Sequence, residues 1–198
     1  MYTLVLNTVL KPSYFYAFEG GSSSKKKKVV AKCISEKTPI VVGTILNFLK
    51  GSYSIIEDNV RVYFFAGPGS FTGIKISFAL LKGFFGKEFD KVCKGLNLLE
   101  VALRRVSSNA VFLKAHQGDY FVGLRLRSSF HYFVAKSFYA HKIFDKIGEV
   151  NPEDVAEMPV DAMVEAVLEN LDSFKFYGNP LYLKMPVIGK KRIFKGVV

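Results

Sequence analysis

A glycine-rich heptapeptide, Gly67-Pro68-Gly69-Ser70-Phe71-Thr72-Gly73, separates two apolar segments of different periodicity. Before it, Val60–Phe65 is a short run of β-branched and aromatic residues, which predicts a buried strand. After it, Thr72–Gly86 repeats its apolar residues at helical spacing. The chain must therefore pass from strand to helix inside this turn. Glycines admit positive φ and leave room for close backbone approach, Pro68 stiffens the turn, and Ser70 or Thr72 can cap the first helical amides. Exposed amides at a helix start also favour an anion. No Gly-Lys-Ser/Thr follows, and the spacing is not that of a dinucleotide fingerprint. On these residues a structural turn and an anion site both stay open.

The helix that follows is apolar nearly all round. Ile74, Ile76, Phe78, Leu80, Leu81, Phe84 and Phe85 leave chiefly Lys75, Ser77 and Lys82 to face water. Such a helix needs cover on two sides. A sheet supplies one, and the other falls to a neighbouring helix, a partner, or both. Lys75 sits in the first turn, where the helix dipole disfavours a cation unless an acidic side chain or a phosphate lies close.

Three strand-like runs open the chain, Tyr2–Val9, Ser13–Phe18 and Val29–Ile34, with the lysines 25–28 at the second turn as a solvated hairpin tip. Pro39 opens a helix whose apolar residues Val42, Ile45, Leu46 and Leu49 share a stripe, ending at Lys50-Gly51. Val92 marks a further short strand, and Asn97 with Glu100 three residues on forms a capping arrangement for a helix over Leu98–Val106. The opening pattern then recurs in Ala110–Ala115, Tyr120–Leu126 and His131–Ala135. An acidic helical segment, Pro159–Leu171, a strand-like Phe174–Tyr177 and a basic tail follow. The class is α/β, with two related lobes, 1–106 and 107–198, each a mixed sheet with helices. That order of elements is the one expected of the actin-like ATPase and sugar-kinase architecture, an analogy of order that says nothing of ATP hydrolysis.

Composition narrows the function classes. No apolar run approaches the roughly 20 residues of a membrane-spanning helix, and Met1–Leu10 lacks the basic start of a secretory signal. A cytoplasmic protein without membrane contact is expected. Cys33 and Cys93 lie too far apart for a zinc or redox pair, and His116, His131 and His141 include no pair at metal-ligand spacing. The net charge of +11 is uneven: residues 1–50 carry eight bases against two acids, whereas 151–172 carry seven acids and no base. A basic face of this kind steers towards RNA or an acidic partner, or is simply a solvated lysine surface.

With these residues in view, the chain resembles the TsaB (YeaZ) family of proteins that serve threonylcarbamoyladenosine synthesis on tRNA. Val62-Tyr63-Phe64-Phe65-Ala66 running into GPGSFTG and then Ile74-Lys75-Ile76 is similar to the family signature. Leu81-Lys82-Gly83 and Leu98-Leu99-Glu100-Val101-Ala102 match the helices that follow it. Weaker echoes are Lys114-Ala115-His116-Gln117-Gly118-Asp119 and Pro180-Leu181-Tyr182-Leu183-Lys184. The departures are an Asn7-Thr8 where the family ends its first strand with an acid, Thr38-Pro39 near the place of a His-Ser, and Lys114 in place of an Asp.

The resemblance implies a non-catalytic accessory subunit with no catalytic residue and no metal. It implies no tightly held cofactor, any nucleotide being bound only at the complex. Its partners would be a TsaD-like catalytic subunit, a TsaE-like ATPase and, through the complex, tRNA, with a homodimer when alone. By carry-over, Val42, Ile45, Leu46, Leu49, Ile76, Leu80 and Phe84 would form the partner interface. Gly67 to Gly73 with Lys75 would be the glycine loop with its possible anion site. The alternatives are an actin-like-fold nucleotide-binding hydrolase or peptidase, for which no nucleophile, base and orienter set is visible, and a basic RNA-binding protein.

Overall fold

The computed structural model describes residues 1–20, 27–51, 59–127, 129–148 and 152–183. Two of the tip lysines, 25 and 26, and the basic tail from 184 onward lie outside the described residues. β1 (Tyr2–Asn7), β2 (Ser13–Glu19) and β3 (Lys28–Ser35) form an antiparallel meander. β4 (Val60–Gly67) and β5 (Cys93–Asn97) add to it in parallel, giving the order β3-β2-β1-β4-β5. The second sheet repeats the plan: β6 (Ala110–Lys114), β7 (Asp119–Leu126) and β8 (Ser129–Lys136) are antiparallel, and β9 (Glu153–Asp154) lies parallel to β6. Its order is β8-β7-β6-β9. The repeat read from the sequence is therefore a repeat of topology.

The helices sort by face. Leu6 stands opposite both Phe15 and Phe64, so these three point to one side of the first sheet. Phe15 meets Phe48 of α1 (Thr38–Gly51) at 5.5 Å between centroids, and Phe64 meets Phe78 of α2 (Phe71–Phe85) at 4.9 Å. Both helices thus cover the same face. A one-turn helix, α3 (Phe89–Val92), leads into β5. The opposite face receives α4 (Leu98–Arg105) and α6 (Val160–Glu169), which pack on each other. The second sheet lies against α4, and its far face holds α5 (Ser137–Ile147) through Phe112 and Phe144, 6.2 Å apart. The layers run helix, sheet, helix, sheet, helix. Because the first sheet is covered on both sides, β1, β2 and β4 are almost continuously buried rather than alternating.

Gly123 in β7 shows how closely the middle layer fits. A Cβ there would stand 3.1 Å from Leu99 and Val111 and 3.2 Å from Leu103. Asp161 at the start of α6 is tied to the first sheet by the Tyr16 hydroxyl at 2.5 Å and by Lys32 at 3.1 Å, and these hold its carboxyl below the usual range.

Several expectations change. Asn97 caps α4 by accepting from the Leu99 amide, but Glu100 does not complete a capping box: it pairs with Arg104 at 2.9 Å, one turn on. Phe174–Tyr177 forms no strand and makes only a single bridge, Tyr177 to Gly95. The strand expected at Val92 starts at Cys93. α5 was not expected from the sequence, since Ser137–Ile147 has no side-chain cap and mixes aromatic with basic residues.

The Glu100–Arg104 pair is almost buried, with Glu100 5% exposed, and the guanidinium lies between the rings of Phe130 and Phe174 at 5.0 and 4.9 Å. It also donates to the Ser173 carbonyl, fastening the C-terminal segment to the middle layer. Replacing Arg104 by Leu leaves a carboxylate without its partner in this setting. The expected loss is about 3 kcal/mol in urea unfolding, smaller when Glu100→Gln is added.

Candidate functional site

A cleft of about 700 Å³ opens where the β1–β2 turn, the glycine turn, the end of β6 and residues 181–183 converge. Residues 8–11 and 68–76 meet residues 113–121 and 181–183 there. Pro68 to Ile74 form one side, Leu113, Lys114 and Gln117 another.

The glycine turn is held by protein backbone from three directions. A Cβ on Gly73 would collide with the Thr8 carbonyl, one on Gly67 with the Leu181 carbonyl, and one on Gly69 would stand 2.8 Å from the Val9 carbonyl. Gly67 and Gly69 also have φ of 134° and 153°, which side chains disfavour. Ser70 N donates to Val9 O at 3.0 Å, Leu181 N to Ala66 O at 2.8 Å, and the Thr8 hydroxyl to Gly73 O at 2.6 Å. Ser70 is the helix cap expected, accepting from the Gly73 amide at 3.2 Å. The requirement for glycine here is accounted for by neighbouring chain. Thr8 also accepts from the Ser77 hydroxyl at 2.6 Å with both side chains buried, so Ser77 does not face water as the sequence suggested but joins α2 to the β1–β2 turn.

Lys75 is exposed, with its ammonium 4.3 Å from the centre of the Phe71 ring. The cation in the first turn is thus offset by an aromatic face rather than by the acid or phosphate considered from the sequence. Phe71 in turn meets Tyr182 at 5.1 Å.

Asn7 occupies the position where the resembled family has an acid. It is fully buried, its Oδ1 accepts from the amides of Val9 and Leu10 at 3.0 and 3.1 Å, and its Nδ2 donates to the carbonyls of Leu10 and Pro12 at 3.4 and 3.2 Å. The side chain is used as both donor and acceptor to close the β1–β2 turn. A carboxylate would turn two of those contacts into repulsions.

The polar equipment of the cleft is cationic and hydroxylic. Lys11 is spent on the turn into α1, donating to Glu36 O and to Thr38 Oγ1. Lys114 is exposed and lines the cleft together with Ser70 and Thr72. Among the described residues lining the cleft there is no Asp, Glu, His or Cys, and among the described residues as a whole no three such groups come together. Cys93 is buried away from the cleft, and burial pushes its thiol up to about 12.

The residues expected at a partner interface divide. Ile45 and Leu49 are completely buried with Val41 and belong to the lobe's own core. Val42, Leu46, Ile76, Leu80 and Phe84 are half-buried, and the neighbouring Ile40, which the stripe omitted, is 53% exposed. The helical period was right, but it needed the sheet to say which side faced in.

No family model matches the chain, and no curated protein matches it in sequence. Solved structures do match. An uncharacterized protein with similarity to peptidase YeaZ from Pseudomonas aeruginosa superposes with a TM-score of 0.57 at 12% identity, covering 92% of this chain and 99% of that one. YeaZ from Pseudomonas aeruginosa aligns at 16% identity over 68% of this chain and 65% of that one, with a TM-score of 0.44. A Ppx/GppA family member from Aquifex aeolicus aligns at 8% identity, covering 68% and 51%, with a TM-score of 0.36. The chain is an α/β protein built on two mixed sheets, of five and four strands. Within that class it has the fold of the YeaZ-like protein over nearly the whole of both chains. Among the described residues, no helix is long and apolar enough to cross a membrane.

Two outcomes follow from the buried groups. Asn7→Asp is expected to cost about 2 kcal/mol at pH 7 in urea unfolding. Burial and the two facing carbonyls disfavour the carboxylate, so the loss is expected to be small below pH 4 and to grow as pH rises. For Cys93, whose folded pKa is raised from 9.0 to about 12, stability is full below pH 9 and falls as pH climbs through that window. A thiol reagent at pH 8 should label half-buried Cys33 before Cys93.

Proposed function

We propose that this chain is a non-catalytic subunit of the assembly that makes threonylcarbamoyladenosine on tRNA. In this role it docks a TsaD-like catalytic subunit through α1 and α2 and works with a TsaE-like ATPase, meeting tRNA through the complex. The observation that carries the reading is the outward face of those two helices. Ile40 is exposed, Leu46, Ile76 and Leu80 are only half-buried, and Gly43 and Gly83 sit mid-helix with nothing within 4 Å of where a Cβ would be. Glycine inside a helix costs about 1 kcal/mol relative to alanine, and among the described residues nothing packs at these two places. A neighbour's helix, approaching where there is no side chain, does.

The signature Gly67–Gly73 and the fold shared with a YeaZ-like protein support the same role. So does the cleft. Hydrolysis of a peptide or nucleotide needs a group to carry the proton, and the described lining offers lysines and hydroxyls without a carboxylate or imidazole to orient or activate them. The name peptidase borne by the structural relative therefore finds little support in these residues.

Titration of the purified chain into the TsaD-like protein of the same cell is expected to give binding in the micromolar range or tighter. Leu80→Glu should weaken it at least about tenfold while the thermal midpoint of the free chain moves little. Gly83→Trp, at a position with open space, should do the same. Absence of binding by the unaltered chain would sink the proposal.

A further inference from the structure

The cleft beside the glycine turn is left without an occupant by the subunit role. Its volume of about 700 Å³ is that of a small-molecule site. Half-buried Leu10, Phe71, Leu181 and Leu183 line it together with buried Leu113 and Phe121. Apolar surface in such a space is stabilised by an apolar occupant that displaces water from it. The polar groups are few. Lys11 is committed to Glu36 O and Thr38 Oγ1, whereas Lys114, exposed at the end of β6, forms no ion pair among the described residues. Three residues on, in the β6–β7 turn, Gln117 also lines the cleft. The Ala115 amide closes that turn onto Asp119 O at 2.8 Å, and Gln117 sits within it at φ 67°, a left-handed backbone that glycine would adopt without strain. Residues other than glycine held in that region cluster where ligands are clamped.

The glycine turn opposite presents acceptors rather than donors. The carbonyl oxygens of Leu181, Val9 and Thr8 press on Gly67, Gly69 and Gly73, and the amides of Ser70 and Gly73 are spent on Val9 O and Ser70 Oγ. A polyphosphate laid on this turn meets those carbonyls, with a single uncommitted lysine in the described lining to oppose its several charges. One negative charge, by contrast, is matched by Lys114, and a head that also accepts a hydrogen bond is matched by the Gln117 amide. We infer that the cleft binds a small amphipathic anion, an apolar body with one negatively charged head, and disfavours a nucleotide. The body fills the space between the β1–β2 turn, the start of α2 and residues 181–183, and the head meets Lys114 and Gln117 on the β6–β7 turn. The inference goes beyond the subunit role and does not depend on it.

Calorimetric titration of the full chain tests it with three probes at pH 7. Decanoate carries both parts, acetate has the head without the body, and ATP has charge without a long apolar body. Decanoate should bind with a dissociation constant of about 10 to 100 µM and saturate at about one molecule per chain. Acetate and ATP should each bind at least about tenfold more weakly. Lys114→Glu reverses the charge offered to the head, and Thr72→Trp, at an exposed lining position, narrows the cleft. Each should weaken decanoate at least about tenfold. Thermal unfolding checks that the variants are folded, and should Thr72→Trp melt early, Lys114→Glu is read alone. Wild type that holds ATP or acetate as tightly as decanoate overturns the inference. So does wild type that takes up no decanoate below about 1 mM, or decanoate binding that a folded variant leaves unchanged. Because no TsaD-like protein enters this experiment, its failure is distinct from failure of the titration above.

Discussion

The Thr8 carbonyl and the Cα of Gly73 meet so closely that no side chain fits between them, and the rest of the first lobe is arranged around that contact. It sets the β1–β2 turn directly on the first turn of α2. From there the Thr8 hydroxyl reaches Gly73 O and Ser77, the Ser70 amide reaches Val9 O, and α2 is pinned over β4 with Phe78 against Phe64. Gly67 takes in Leu181 from the other side, so the far end of the described chain closes onto the same junction. Three segments distant in sequence are joined through backbone groups. Such groups lose their partners at full desolvation cost if the spacing opens.

That junction also decides what the cleft can be. Its glycine turn is made of backbone paired with backbone, and beside it Asn7 is used as donor and acceptor to hold the β1–β2 turn. What remains for a ligand is hydroxyls and Lys114, a set suited to holding negative charge rather than to moving protons. Among the described residues, Glu100 is paired with Arg104, Asp161 with Tyr16 and Lys32, and Cys93 lies in the core.

Charge follows the layers. The acids of residues 151–172 include those of α6, in the middle of the stack, where Asp161 and Glu165 meet Lys32 and Arg105. The outermost helices of the first lobe are left with lysines alone. A net charge of +11 is therefore a poor summary of the molecule. Glu100, Asp161 and Glu165 pair in the middle layer, and Lys50, Lys75 and Lys82 stand exposed on α1 and α2.

The strand-turn-helix around residue 70, the two meanders and the repeat were legible because they depend on local chemistry: glycine, proline and a change of hydrophobic period from two to 3.6. α5 was not legible, since its eleven residues have no N-terminal side-chain cap, only Gly148 closing the C-terminal end, and pack Ala140 and Phe144 on the second sheet. Phe174–Tyr177 looked like a strand because aromatic alternation is the same whether a ladder or a single bridge receives it. Within the candidate site, Ser70 as cap could be read from its position, but the partners of Asn7, Thr8 and Lys11 could not. Each lies on a segment brought near by the fold. Likewise the stripe on α1 announced an amphipathic helix, and only the sheet beneath it separated Ile45 and Leu49, which are core, from Ile40 and Leu46, which face out. By itself the sequence determined the elements and their order, because those follow from neighbours along the chain. The tertiary structure alone decided which side chains are spent on internal bonds and which remain for another molecule, because burial is set by what packs across from each residue.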